Sequence, residues 1–529
     1  MLQIAIDPNA DEPLYRQVYE GLREAILSGR LAPGSRLPST RVLASDFGVA
    51  RNTVLQAFDW LRSEGYIVGR RGGGSRVQSK IPDMLMQVRA STHRGRGAGN
   101  STSVAAPPKA EVTHGMPRLS KRGQRLAGSG ESCRSPGVIP APFELGYAAI
   151  DAFPMRVWSR IAGRRWRRGE IDFAEGDPAG ERALREAIAE YLTAARDARC
   201  TADQVLVVNG AQQALHLIAQ VVLDPGDVAW IEDPGYVGAR SALEVAGARI
   251  VPVPVDAEGI EVEVGDRLAP DARLVYVTPS HQFPLGVLMS ACRRLELLSW
   301  ARRRSAWIIE DDYDSEFRYA GRPLSCLQGL DINTAAGSAP RVLYVGTFSK
   351  TLISGLRLGY IVVPEPLVDV FSAARAAMDR HTPTASQHVL ADFIGEGHYA
   401  RHIREVRSLC AERQAVLIDA ASTHLSGCLT IEPDPAGLHV VGWLPDGVDD
   451  AYAANLAAGQ GIRVSPLSRF RMSGPASSDR GALLLGYAPF DERRIRDGVQ
   501  RLARALESLG APSPHPPRRP GPRVSGGAG

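Results

Sequence analysis

The chain has 529 residues, of which 44% are hydrophobic and 23% charged, with a formal net charge of +4. That length predicts about three or four domains, and that balance excludes a wholly disordered chain, a collagen-like chain and a disulfide miniprotein. No apolar run approaches the ~20 residues of a membrane span, and residues 1–7 lack the basic region and apolar stretch of a signal peptide, so a cytoplasmic protein is expected. The positive charge gathers toward the N-terminus, with about 11 basic against 8 acidic side chains over residues 1–80 and about 9 against 3 over residues 81–136. The six cysteines, Cys133, Cys200, Cys292, Cys326, Cys410 and Cys428, are scattered without a Cys-x-x-Cys pair, which speaks against a zinc site or disulfide framework and for free thiols.

Residues 1–80 carry helical patterning. Pro13 opens a helix, and Leu14, Val18, Leu22 and Ile26 recur every four residues as one apolar stripe that Gly29 ends. Ser39 is placed to cap a second short helix, which Gly48 breaks. A third helix starts near Ala50 or Arg51 and puts Val54, Phe58 and Leu61 on one face, with Arg51, Asn52, Thr53 and Gln56 largely off it. Gly65–Val68 and Ser75–Val77 then read as two short strands around a basic glycine tip. Helix, short helix, turn, helix and basic hairpin is the pattern of a winged helix-turn-helix, whose helix suits the major groove while arginines reach phosphates; a small helical protein-interaction domain is the plainer alternative.

Leu37-Pro38-Ser39-Thr40-Arg41-Val42-Leu43-Ala44, Gly48-Val49-Ala50-Arg51-Asn52-Thr53-Val54 and Glu64-Gly65-Tyr66 resemble the GntR family of winged-helix DNA-binding domains over about residues 12–78. The resemblance implies a double-stranded operator as partner, with Arg41, Arg51 and Thr53 facing DNA and the wing residues Arg70, Arg71 and Gly72 approaching its minor groove or backbone.

Residues 81–138 are rich in Gly, Ser, Pro, Ala and Arg without a sustained period and read as a flexible basic linker. Residues 139–510 alternate β-branched runs with helical patterns, as expected of an α/β domain around a mainly parallel sheet. Residues 511–529, rich in Pro, Gly and Arg, read as a disordered tail.

Within the α/β domain, four strand ends carry chemistry. Val205–Val208 runs into Asn209-Gly210-Ala211-Gln212 at a helix start, where free N–H groups favour a phosphate. A further strand ends at Glu232-Asp233-Pro234-Gly235-Tyr236, offering a ring for stacking. Trp307–Ile309 leads to Glu310-Asp311-Asp312-Tyr313, and a carboxylate there suits a protonated pyridine nitrogen. Val342–Val345 delivers Ser349 and Lys350 into a turn, with Arg357 seven residues on; a lysine amine can form a Schiff base, and a serine with an arginine can hold a phosphate. Each piece alone reads as packing, a turn or a solvated loop; four together suit one molecule of pyridoxal phosphate at the carboxyl edge of a sheet.

About residues 140–508 resemble fold-type-I aminotransferases, in particular the aminotransferase-like half of the MocR/GabR regulators, through Gly176-Asp177-Pro178-Ala179-Gly180, Glu232–Tyr236, Thr278-Pro279-Ser280-His281-Gln282-Phe283-Pro284, Glu310–Phe317 and Gly346–Lys350. The likeness implies an α/β large domain with a smaller α+β domain from about residue 366, and a head-to-tail homodimer. It makes Lys350 the Schiff-base lysine, pairs Asp311 with the pyridine nitrogen and Tyr313 with the ring hydroxyl, and stacks Tyr236 on the ring. It gives the phosphate to Gly210, Ala211, Gln212, Ser349 and Arg357. Two positions depart from the aminotransferase pattern: Phe283 stands where an asparagine is usual, and Leu484 where a substrate-carboxylate arginine is usual. Arg463, Arg469, Arg471, Arg480 and Arg240 are open as substitutes or as plain surface arginines. The expectation is a pyridoxal-phosphate-dependent transcriptional regulator sensing an amino compound or the cofactor itself, its small domain closing to re-place paired winged helices. The alternatives are an aminotransferase with an accessory DNA-binding domain and an interaction protein that binds neither cofactor nor DNA.

Overall fold

The computed structural model describes residues 12–70, 74–78, 140–169, 175–321, 325–334, 339–473 and 480–507, with a few isolated residues near 4–8 and 119–124. The chain divides into two compact units, residues 1–114 and 115–529. The linker interior, the wing tip Arg71 and Gly72, Cys133 and the C-terminal tail lie outside the described residues.

The first unit forms as its spacing predicts. Helix α1 (Leu14–Leu27) buries Val18, Leu22 and Ile26 against α3 (Arg51–Ser63), which contributes Val54, Phe58 and Leu61. Between them, α2 (Thr40–Phe47) is capped by the Ser39 hydroxyl, which accepts from the Val42 amide at 3.4 Å. Gly48 closes α2 in the left-handed conformation at φ +65°, which a glycine adopts without steric cost. Strands β1 (Ile67–Arg70) and β2 (Gly74–Val77) pair antiparallel, Ile67 opposite Val77, and the Ile67 and Val77 side chains enter the same core.

The second unit is built on two sheets. The larger runs β3 (Val205–Val208), β10 (Gly359–Val362), β9 (Val342–Thr347), β8 (Trp307–Asp312), β7 (Leu274–Val277), β4 (Val228–Asp233), β5 (Arg249–Asp256) and β6 (Gly259–Ile260) in that spatial order. Strands β4, β5, β7, β8 and β9 are parallel, whereas β10 is antiparallel to both neighbours and β6 to β5. Strand β3 runs in the same sense as β9, so the sheet is mainly parallel, as expected, and mixed only through β10 and β6. Eleven residues, with one short 3-10 turn at Ser354–Leu356, separate β9 from β10, fewer than the dozen or more of a crossover, so β10 returns beside β9 in the opposite sense. Strands β3, β7 and β10 are buried along their whole length, as expected for strands covered on both faces. The second sheet, β11 (Thr430–Ile431), β12 (His439–Trp443), β14 (Ala482–Gly486) and β13 (Ser465–Pro466), is antiparallel throughout. Helices His398–His424, Asp450–Gly459 and Glu492–Glu507 share its core with Leu483, Leu485 and Tyr487. Phe371, on helix Val368–Asp379, packs instead with the larger sheet.

Among the described residues the cysteines are free, no His/Cys/Asp/Glu group is arranged to hold a metal, and no helix is long and apolar enough to cross a membrane.

Candidate functional site

Parallel strands align their carboxyl ends on one edge of the larger sheet, and the loops leaving β3, β4, β7, β8 and β9 open there. Asp311, near the end of β8, is buried. Its Oδ2 accepts a hydrogen bond of 2.8 Å from the Tyr276 hydroxyl on β7, while its Oδ1 is buried with no partner. Burial, reinforced by the nearby Asp312 and Asp314 carboxylates, pushes Asp311 up to about 7 against the lowering influence of Tyr276 and Lys350. Lys350, just past β9, is half-buried and donates to the Gly146 carbonyl at 2.7 Å. Desolvation holds its amine below the usual lysine value, with Asp314 and Asp311 pulling it back up; a lowered amine carries more of the neutral, nucleophilic form.

Gly210 lies at the start of helix Ala211–Val222 with φ +91° and supplies no capping side chain, and the first amides of a helix have no intrahelical acceptor. Pairing of β10 with β3 sets Gly359 opposite Val208. That brings Arg357 alongside, where its Nη2 donates to the Asn209 carbonyl at 2.8 Å. A Cβ on Gly210 would stand 3.2 Å from the same Arg357 nitrogen. The backbone N–H of Ser349 donates to Thr347 Oγ1 at 3.1 Å.

Gln212 is placed differently from a side-chain phosphate ligand: its amide donates to the Gly238 carbonyl at 2.9 Å, leaving its backbone N–H, with that of Ala211, at the helix start. Tyr236 lies over Gly238 beside Gln212, and its ring meets Phe283 edge-on at 5.9 Å. Phe283 in turn meets Tyr313 at 5.9 Å and Phe470 at 5.2 Å. The edge therefore joins a lowered amine, a buried carboxylate with one open oxygen, a helix start with an arginine, and aromatic rings. The larger sheet thus brings the candidate residues Gly210, Ala211, Gln212, Tyr236, Asp311, Tyr313, Ser349, Lys350 and Arg357 to one edge.

Tyr276, Gly146 and Asp434 belong to this neighbourhood and carry no signal in the sequence, and His281 enters there only as part of the Thr278–Pro284 match. Tyr276 sits in the apolar run Leu274–Val277, where a hydroxyl gives no pattern, and Gly146 acts through its carbonyl. Leu484 is buried in mid-β14, opposite Val441 and Ser465. Of the five open arginines, Arg463 pairs with Glu144 at 2.7 Å, Arg240 with Glu244 at 2.9 Å, and Arg480 donates to the Leu444 carbonyl. Arg469 is exposed and Arg471 half-buried.

On the first unit, Arg41 and Arg51 are exposed at the starts of α2 and α3, and Thr53 is half-buried one turn into the N-terminal end of α3. Arg70 ends β1.

Residues 169–502 match the family described as aminotransferase class I and II, and residues 14–77 that of bacterial regulatory proteins of the gntR family. The chain is 42% identical to the probable rhizopine catabolism regulatory protein MocR of Rhizobium meliloti, over 96% of this chain and 97% of that one. It is 33% identical to the HTH-type transcriptional regulator TauR of Rhodobacter capsulatus, over 94% and 98%. Among solved structures, the α-aminoadipate aminotransferase LysN of Thermus thermophilus, complexed with N-(5′-phosphopyridoxyl)-L-leucine, aligns with a TM-score of 0.63 and 29% identity over 69% of this chain and 92% of that one. A winged helix joined in one chain to an aminotransferase fold defines a DNA-binding transcriptional regulator built on an enzyme scaffold. The chain belongs to the MocR-type regulators of the gntR family.

Proposed function

We propose that this regulator carries pyridoxal 5′-phosphate on Lys350 and reads a small amino compound, or the supply of the cofactor itself, as a change in its grip on an operator. The observation that carries the reading is Asp311 Oδ1, a buried acceptor with no partner, on the sheet edge that also holds the Lys350 amine. An unpaired buried carboxylate oxygen is costly, and a protonated pyridine nitrogen removes that cost. Bound there, the cofactor supplies an aldehyde for a lysine amine and an electron-withdrawing ring. The chain does the rest. Lys350 offers a largely desolvated amine, Asp311 keeps the ring nitrogen protonated, and the Ala211 and Gln212 amides with Arg357 and Ser349 take the phosphate. Tyr236 covers a ring face. Arg41, Arg51, Thr53 and the wing take DNA. A head-to-tail homodimer would present two winged helices to paired half-sites, and a ligand that favours one placement of the smaller sheet would shift operator affinity.

Borohydride reduction of purified protein followed by peptide mass spectrometry is expected to find a phosphopyridoxyl label on Lys350 and none in Lys350→Ala. Colourless protein without the label would defeat the reading. Sustained multiple turnover with amino donors and 2-oxo acids would assign an aminotransferase instead.

Arg41→Ala and Arg51→Ala are each expected to weaken binding to the protein's own promoter region by about tenfold, the loss of one guanidinium contact. The cofactor spectrum should not change, and normal binding by both variants would displace the assignment of α3 as the reading helix. Gly210→Ala puts a side chain at φ +91° and 3.2 Å from Arg357 Nη2. It is expected to lower cofactor affinity about tenfold through backbone strain of ~1–3 kcal/mol, checked by spectral titration of the apoprotein.

A further inference from the structure

His281, on the loop leaving β7, is 2% exposed. Its Nδ1 lies 2.8 Å from Asp314 Oδ2 and 3.0 Å from the Tyr313 hydroxyl, and its Nε2 lies 3.2 Å from Asp434 Oδ2. Both ring nitrogens thus face carboxylate oxygens. A neutral imidazole has one N–H and one lone pair, so either neutral tautomer would turn a lone pair against an anion; only the imidazolium donates to both. Burial opposes the charge, but Asp314 and Asp434 outweigh it and push the histidine up to about 10. His439, whose ring on β12 is 5.7 Å away, is lowered by burial and by the His281 charge itself. Arg196, Arg294 and Arg318 line with His281 a cavity of about 10 Å³, and Arg196 is paired with Asp312 at 2.7 Å.

The ring has a fitted seat. Gly286 and Gly437 both have positive φ, and a Cβ on them would fall 3.1 Å and 2.2 Å from His281 ring atoms. Asp434 reaches the ring from the loop between β11 and β12, where its own amide donates to Gln414 Oε1 at 3.2 Å. The contact therefore ties the layer of the smaller sheet to the ligand edge of the larger one.

The consequence is directional. A protonated Nδ1 has one hydrogen, held by the nearer Asp314 Oδ2, and no lone pair, so the ring cannot accept from the Tyr313 hydroxyl, whose proton is left for the other side. A neutral ring with its lone pair at Nδ1 would draw that proton inward. Phe283, packed on Tyr313, brings no polar atom to replace it. We infer that His281, clamped between Asp314 and Asp434, is a positioning residue that turns the Tyr313 hydroxyl proton outward, toward the ring oxygen of the bound cofactor, and so links the placement of the smaller sheet to the cofactor's electronic state. The inference rests on the cofactor reading above.

The test is a pH titration of the near-visible absorption band of full-length, pyridoxal-phosphate-loaded protein. A hydroxyl donor lowers the proton affinity of the ring oxygen and of the nitrogen beside it, so His281→Leu is expected to raise the band's midpoint by about one unit. Asp434→Asn should shift it the same way by less, and His281→Asn, which retains an N–H toward Tyr313, should return most of the shift. On a Tyr313→Phe background, His281→Leu should add nothing. An unchanged midpoint in His281→Leu, or an equal further rise without the Tyr313 hydroxyl, would overturn the inference. Hydrogen exchange at the histidine C2 position, read by mass spectrometry, tests the charge without any cofactor. A His281 midpoint far above the ordinary ~6.5 is expected, and an ordinary one would refute the clamp. A wild-type protein with neither band nor Lys350 label removes the cofactor reading and this inference with it, whereas a banded wild type with unresponsive variants removes this inference alone.

Discussion

Asp311→Ala is expected to lower affinity for pyridoxal 5′-phosphate by about 100- to 1000-fold, so that purified protein is nearly colourless. Asp311 is buried with one oxygen held by Tyr276 at 2.8 Å and the other open. Removing one partner of a buried ion pair costs about 3–5 kcal/mol, and each ~1.4 kcal/mol is tenfold in affinity. Asp311→Asn keeps the shape and an acceptor oxygen but not the charge, so it should fall between wild type and alanine. Tyr276→Phe should follow the same direction more weakly, because the hydroxyl orients the carboxylate rather than replacing it. Spectral titration of apoprotein separates the three; an alanine variant that loads as tightly as wild type would put the ring nitrogen elsewhere.

What could be read in the residues is what is local. The four-residue spacing of Val18, Leu22 and Ile26 predicts α1 because a helix face is a short-range pattern. Lys350, Asp311, Gly210 and Tyr236 stand out because each follows an apolar strand run, and parallel strands bring such ends together whatever their separation in sequence. The remainder depends on distance in the chain. His281 and Asp434 are 153 positions apart, and no spacing rule connects them. Tyr276 hides in a run that reads as pure core until β8 lies beside it. Gln212 belongs to the phosphate turn by position, but its side chain is taken by Gly238, a carbonyl on another helix. The sense of β10 follows from loop length rather than composition. Leu484 reads only as a missing arginine; in the fold it is buried mid-strand and leaves three of the five candidate arginines tied to other partners.

Between pH 5.5 and 8 the cofactor-free protein is expected to become less stable, with its thermal midpoint falling by roughly 5–10 °C. Glu232, Glu310 and Asp311 are all buried, and desolvation pushes each up to about 7. Each folded value lies above the unfolded value near 4, so the folded state holds more protons across the interval, and stability drops as pH rises toward the folded value. The loss is on the order of 2 kcal/mol per carboxylate. The three should contribute comparably, since each is pushed to about the same value. His281 acts in the same sense: its raised value gives stabilisation that is full below about 6.5 and is lost as pH climbs through about 10. His402 and His439, lowered by burial, oppose the trend only up to about 6.5, above which their neutral forms are populated in both states. Glu232→Gln removes one ionisation and should both flatten the profile and raise the midpoint at pH 8, while its cost at pH 5.5 stays small because the native group is already neutral there. Loading with pyridoxal phosphate should flatten the profile as well, since the Asp311 charge then has a partner. Calorimetric scans of the apoprotein at half-unit intervals decide it: a midpoint that stays level or rises from pH 6 to 8 would mean that these carboxylates ionise in the fold as readily as in the unfolded chain, and the unpaired Asp311 oxygen would no longer argue for a cation at its side.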